Sequence, residues 1–213
     1  MLRTPDTVRD TMPLITLEGV DGTGKTTLAA GLHTAIAATG ADVVLLREPG
    51  GVAASERIRE LVKDPGLAVA DRTEALLYAA ARAQLVAERL LPALAAGATV
   101  ILDRFVDSSL AYQGGGRELG VADVAAINHF ATGGLTPDRT LLLVLDPALA
   151  AARAVTRGEA PDRLELAGAP FFARVDRTYR ELAAAEPARF RLIDAGQTPA
   201  RVLADALAAL ADL

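Results

Sequence analysis

Glu18-Gly19-Val20-Asp21-Gly22-Thr23-Gly24-Lys25-Thr26-Thr27 decides how the rest of the chain is read. Gly19, Gly24, Lys25 and Thr26 satisfy G-x-x-x-x-G-K-[ST], with the apolar run Leu14 to Leu17 before the pattern and an Ala/Leu-rich stretch, Leu28 to Thr39, after it. Strand, tight turn and helix start are the context this spacing needs. Glycines let main-chain N–H groups turn inward around phosphate oxygens, the helix start adds unpaired donors and partial positive charge, and Lys25 adds a mobile full charge. The whole stretch from Gly19 through Val20, Asp21, Gly22 and Thr23 to Thr27 is therefore the expected phosphate cradle, and the Thr26 hydroxyl a ligand for Mg²⁺. Of the 22 Lys and Arg residues only Lys25 and Lys63 are lysines, so a chain that otherwise uses arginine keeps a compact ammonium here.

Working outward, the runs Val43–Leu46, Thr99–Leu102, Leu141–Leu145 and Phe190–Ile193 join Leu14–Leu17 as five expected strands, separated by helical patterns. That alternation predicts an α/β fold, a parallel sheet with helices on both faces. Ligands of such sheets sit beyond the carboxyl ends of the strands, so the residues just past each strand are informative. Arg47-Glu48-Pro49-Gly50-Gly51 comes after the second, then a short helix, Glu56 to Lys63, and a long one, Asp71 to Ala96, with Asp71 as N-cap and Pro92 as a bend or restart. Asp103-Arg104-Phe105 and the run Ser108 to Arg117 come after the third. Asp146-Pro147 opens a helix carrying Arg153 and Arg157, a polar stretch from Gly158 to Gly168 holds Asp162, Arg163 and Glu165, and further helices run from about Pro170 to Ala185 and at the end of the chain.

The 213 residues are 51% hydrophobic and 4% aromatic, which fits helices packed on one sheet in a single domain. A formal net charge of −5 and a pI near 5.1 argue against a general nucleic-acid-binding face, so local arginine clusters must hold any anionic ligand. With no cysteine there is no disulfide or thiolate chemistry, which is compatible with the cytoplasm. Charges interrupt every helix-length window, so no membrane span is expected. Met1 to Thr11 is polar and lacks the apolar stretch of a secretory signal. Residues 1–12 read as a disordered extension, with Met12 as an alternative start.

Several pairs point to chemistry, each with a plainer alternative. Asp103 at a strand end is a second Mg²⁺ anchor or a helix cap. Arg47 and Glu48 offer a phosphate fork or a local ion pair. Tyr78 and Arg82, spaced i, i+4, offer an aromatic face and a guanidinium for a flat base; by themselves they better suit a core Tyr beside a solvated Arg. Arg153, Arg157 and Arg163 surround a polar segment, as cations that close over phosphates or as an exposed basic loop. Gly114 to Gly116 reads as a flexible loop. His33 and His129 show no metal or triad spacing.

Taken together, these segments resemble the thymidylate kinase family, over nearly all of the chain from Leu14 onward. The specific parts are the phosphate loop, Arg47-Glu48-Pro49-Gly50-Gly51, Asp103-Arg104 and Ala111-Tyr112-Gln113-Gly114-Gly115-Gly116-Arg117. The resemblance implies a nucleoside-monophosphate-kinase fold with a short lid, about residues 157–169, and transfer of the γ-phosphate of ATP to dTMP with Mg²⁺. It implies that Arg47 and Arg104 hold the dTMP phosphate, with Asp21 near the sugar or metal. Tyr78 stands where a Phe usually stacks on thymine, Arg82 where an Arg meets the base carbonyl, and Ser109 where a short polar residue reads the pyrimidine. Glu48, Tyr112 and Gln113 complete that pocket, Tyr112 against a ribose 2′-hydroxyl. No Arg lies among Val20 to Thr23, as in the bacterial type whose catalytic arginines come from the lid: here Arg153, Arg157 and Arg163, beside Lys25, Asp103 and Arg104. A homodimer in the cytoplasm is implied as well. Against the family pattern, Tyr78 adds a hydroxyl, and the lid run Arg157 to Arg163 is longer.

Overall fold

The computed structural model describes residues 13–146, 149–150, 153 and 162–213. Five strands, β1 (Leu14–Glu18), β2 (Val43–Arg47), β3 (Thr99–Asp103), β4 (Arg139–Val144) and β5 (Phe190–Asp194), form one parallel sheet in the order β2-β3-β1-β4-β5. Every expected strand is present. Four of them run one residue further than their apolar cores, to Glu18, Arg47, Asp103 and Asp194. A hydrophobic reading stops at the first charge, whereas ladder bonds use only backbone, and Arg47 still pairs with Asp103. β4 starts two residues early, at Arg139, because that side chain is buried with its charge answered by Asp212 at 2.8 Å.

Among the described residues, the α-helices whose bounds are defined are α1 (Lys25–Ala37), α2 (Ala53–Lys63), α3 (Asp71–Leu85), α4 (Leu91–Ala95), α5 (Val106–Ser109), α6 (Val121–Thr132), α7 (Ala169–Ala185) and α8 (Pro199–Ala208). A single π turn, Val86–Leu90, joins α3 to α4, and a second, Leu110–Gly116, comes directly after α5. The break expected at Pro92 thus falls just before it: Leu91 N–H bonds to Val86 O, five residues back, and proline then starts the next helix. Asp71 is the first residue of α3, not its cap; Ala70 holds the cap position without a side-chain bond.

Side chains alternate across the sheet. Ile15, Leu17 and Ile101 pack with α1 and α8 on one face, while Leu14, Val100 and Leu102 pack with Leu85, Val86 and Leu90 on the other. Each fully buried Leu contributes roughly 1.5–3 kcal/mol. This two-sided packing fixes the carboxyl edge of β1, β2 and β3, where the charged strand ends converge.

Candidate functional site

At that edge lies a cavity of about 420 Å³, lined from the phosphate loop, the ends of β2 and β3, helices α2, α3 and α5, and residues 153, 162 and 164. On its first side, Gly24 takes a left-handed conformation (φ 89°) and α1 begins at Lys25 with no side-chain cap and no acidic residue in its first turn. The helix start is therefore left to an anion. Gly19 and Gly22 are required by space as well as by backbone: a Cβ at either would lie 2.5 Å from Leu143 O or 2.6 Å from Ala150 O. Lys25 Nζ donates to the carbonyls of Gly19 (3.0 Å) and Val20 (2.9 Å), and the Thr23 hydroxyl also donates to Val20 O at 2.9 Å. Burial, with Arg104 nearby, pushes the Lys25 ammonium down to about 8.

Thr26 Oγ1 donates to Asp103 Oδ2 at 2.9 Å, so the two expected metal ligands are neighbours. Helix α5 has Phe105 at its cap with no side-chain bond, which removes the alternative of Asp103 as a helix cap. A hydroxyl and a carboxylate are hard oxygen donors, and among the described residues no three His, Cys, Asp or Glu cluster as a metal cage. That donor set fits Mg²⁺, which keeps waters and substrate oxygens rather than filling its shell from protein.

Two arginines organise the rest of the lining. Arg104 sits at φ 70°, a conformation most L-residues avoid, and its guanidinium reaches Asp21 (2.8 Å), Gly19 O (3.1 Å), Ser108 Oγ (3.1 Å) and Tyr112 Oη (3.4 Å), with its carbon 5.1 Å from the Tyr112 ring centre. Glu18 holds this turn. Fully buried, it accepts from Phe105 N–H (2.8 Å), Ser108 Oγ (2.6 Å) and Tyr179 Oη (2.9 Å), and burial together with Asp107 raises its carboxyl to about 7.

Arg82 corrects the reading as a solvated arm. It is 2% exposed and donates to Glu48 Oε2 (2.8 Å), Ser109 Oγ (2.9 Å), Phe105 O (2.8 Å) and Asn128 Oδ1. Its donors serve the protein, fixing Glu48 and Ser109 at the cavity wall. The plainer alternative for Arg47 and Glu48, a local ion pair, is not formed between these two: Glu48 belongs to Arg82, while half-exposed Arg47 pairs with Glu56 at 2.7 Å. Burial raises the Glu48 carboxyl, whose Oε1 has no partner.

Tyr78, Ser109, Tyr112 and Gln113 line the same chamber as Asp21, Arg47, Glu48, Arg82 and Arg104, so the expected acceptor set is brought together. Gly22, Gly24, Thr26 and Thr27 line it too, whereas Gly19, Val20 and Thr23 shape the loop from behind. Arg153 lines the cavity and donates to Ala195 O at 3.0 Å. Arg157 lies outside the described residues, as does the 1–12 extension. Arg163 is not at the phosphate loop: its guanidinium goes to Val62 O (3.1 Å) and Glu74. Arg59 and Lys63 also line the cavity and were missed; their i, i+4 spacing on α2 was the available signal. Asp162 and Leu164, within the stretch read as lid, line it from beyond.

The thymidylate kinase family model matches residues 17–206. The chain is 49% identical over 198 residues to a thymidylate kinase of Deinococcus radiodurans, covering 93% of this chain and 96% of that one. It is 50% identical over 188 residues to that of Bifidobacterium longum (strain DJO10A), covering 86% and 90%, and 49% identical over 191 residues to that of Pseudomonas syringae pv. syringae, covering 89% and 90%. With the phosphate loop and paired arginines arranged around one chamber and this similarity along the chain, the protein belongs to the thymidylate kinase family.

Proposed function

We propose that the chain phosphorylates dTMP to dTDP with ATP as donor, each substrate entering its own side of the cavity. The single observation that carries this reading is the chamber itself, lined together by the phosphate loop and by Arg47, Arg104, Tyr78, Ser109 and Gln113. ATP lies along the loop, with Lys25 and the first turn of α1 on its β and γ phosphates. Arg47 and Arg104 hold the dTMP phosphate, and Tyr78 and Ser109 face the base.

An oxygen of the dTMP phosphate attacks the γ phosphorus, a new P–O bond forms, and the bond to the β-γ bridging oxygen breaks with its electrons leaving on ADP. The attacking phosphate is already an anion at neutral pH, so positioning and charge neutralisation carry the step. The lining supplies that charge, since its cations outnumber its carboxylates in a chain of net charge −5. Lys25 bonds the phosphate loop itself, and Arg153 is a further cation in the lining. Thr26 and Asp103 would hold Mg²⁺, which supplies charge neutralisation on the phosphate oxygens when bound. The family resemblance supports a homodimer in the cytoplasm, which light scattering and fractionation test. No described helix is long and apolar enough to cross a membrane.

The deciding measurement is ADP release in a coupled assay with and without dTMP, then with dUMP, dCMP and AMP. Turnover that requires dTMP supports the reading; a preference for AMP, or hydrolysis indifferent to dTMP, rejects it.

A further inference from the structure

Glu74 is completely buried, lies one helical turn before Tyr78, and does not line the cavity. Three side chains from elsewhere converge on it: Gln113 Nε2 (2.8 Å), Arg117 (Nη2 3.0 Å, Nε 3.3 Å) and Arg163 Nη2. A buried carboxylate facing two guanidiniums is stable only because every member is engaged. Arg163 also donates from Nε to Val62 O (3.1 Å), and its backbone N–H meets Lys63 O at 3.3 Å. Those carbonyls belong to the last turn of α2, where helical partners run out and a cation is favoured.

The neighbours of Arg163 point the other way. Asp162 and Leu164 both line the cavity, and Asp162 is further held by Lys63 at 2.9 Å. Leu164 packs with Tyr112 and Phe171. The alternation in 162–164 thus places two wall residues on one side and their anchor on the other.

We propose that Arg163 and Glu74 are positioning residues: Arg163, gripped by Glu74 and by the end of α2, sets the wall formed by Asp162 and Leu164 around the acceptor. Arg163 is then not a cation on the transferring phosphoryl group. The same carboxylate orients Gln113, so one buried node places acceptor-side groups from α3, the second π turn and residues 162–164. This inference rests on dTMP being the acceptor.

Steady-state kinetics on Arg163→Gln, Arg163→Lys, Glu74→Gln and the double variant Glu74→Gln/Arg163→Gln test it. For Arg163→Gln the expected result is a KM for dTMP raised about tenfold, with kcat changed less than the KM and partial rescue by Arg163→Lys. The double variant should be no worse than Glu74→Gln alone, because both changes break one unit. A kcat loss equal to or larger than the KM rise, losses that multiply in the double variant, or no effect at all would overturn the proposal. Should Glu74→Gln fail to fold, the kcat and KM split in Arg163→Gln decides alone, since that variant leaves Glu74 its bonds to Gln113 and Arg117. Wild-type protein inert toward dTMP would instead reject the reading of function itself.

Discussion

Lys25 carries two opposed demands. Its ammonium is buried and held down near 8, against 10.5 for a free lysine, so below that pH the folded state bears the cost of a desolvated charge. The carbonyls it bonds have second donors, Arg104 for Gly19 and Thr23 for Val20. Lys25→Met should therefore abolish most turnover, by roughly 10²–10⁴-fold in kcat/KM, while the melting temperature holds or rises. Calorimetry beside the coupled assay checks both halves; a lower melting temperature would contradict the burial argument. Since only the charged form suits phosphate, kcat/KM for ATP should fall above about pH 8, approaching tenfold per pH unit, in a profile measured at fixed saturating dTMP. The position of Lys25 at the cavity was legible from its place in the loop. That of Arg82 was not: its partners Glu48, Ser109, Phe105 and Asn128 lie far away in sequence, and an i, i+4 pairing with Tyr78 cannot foretell burial.

Among the elements, the run Leu110–Gly116 departs furthest from its sequence reading. Three glycines look like slack, yet a Cβ on Gly115 would collide with Thr178 Oγ1 and one on Gly116 would lie 2.6 Å from Phe171. The absent side chains are filled by α7, which presses its own residues against the turn backbone. Gly115→Ala should cost about 1–3 kcal/mol, seen as a lower urea midpoint with unchanged slope, and should raise the KM for dTMP by disturbing Tyr112 and Gln113. Close packing between segments distant in sequence leaves no local trace, which is why this turn was misread. Strands were read well because both faces of the sheet demand apolar residues, and they were cut short only where a charge ended the run.

For the molecule as a whole, the sheet edge concentrates charge that folding must bury. Glu18 is one such group, raised from 4.5 to about 7, so between those values the folded chain holds more protons than the unfolded one. Its contribution to stability falls as pH rises from about 4.5 to 7. The wild-type melting temperature should drop across that window by roughly 7–14 °C more than that of Glu18→Gln, measured in matched buffers. Equal slopes would show that Glu18 titrates normally. The architecture was legible because strand-loop-helix periodicity is local, whereas the Glu18 and Glu74 nodes join residues up to 161 apart. The glycine-filled seam between the second π turn and α7 has one more consequence. A chamber backed there by unyielding main chain behaves as a mould rather than a glove. Inhibitors that swell toward it should meet a wall, and potency is better sought at the half-exposed Arg47 rim, where the surface can still give.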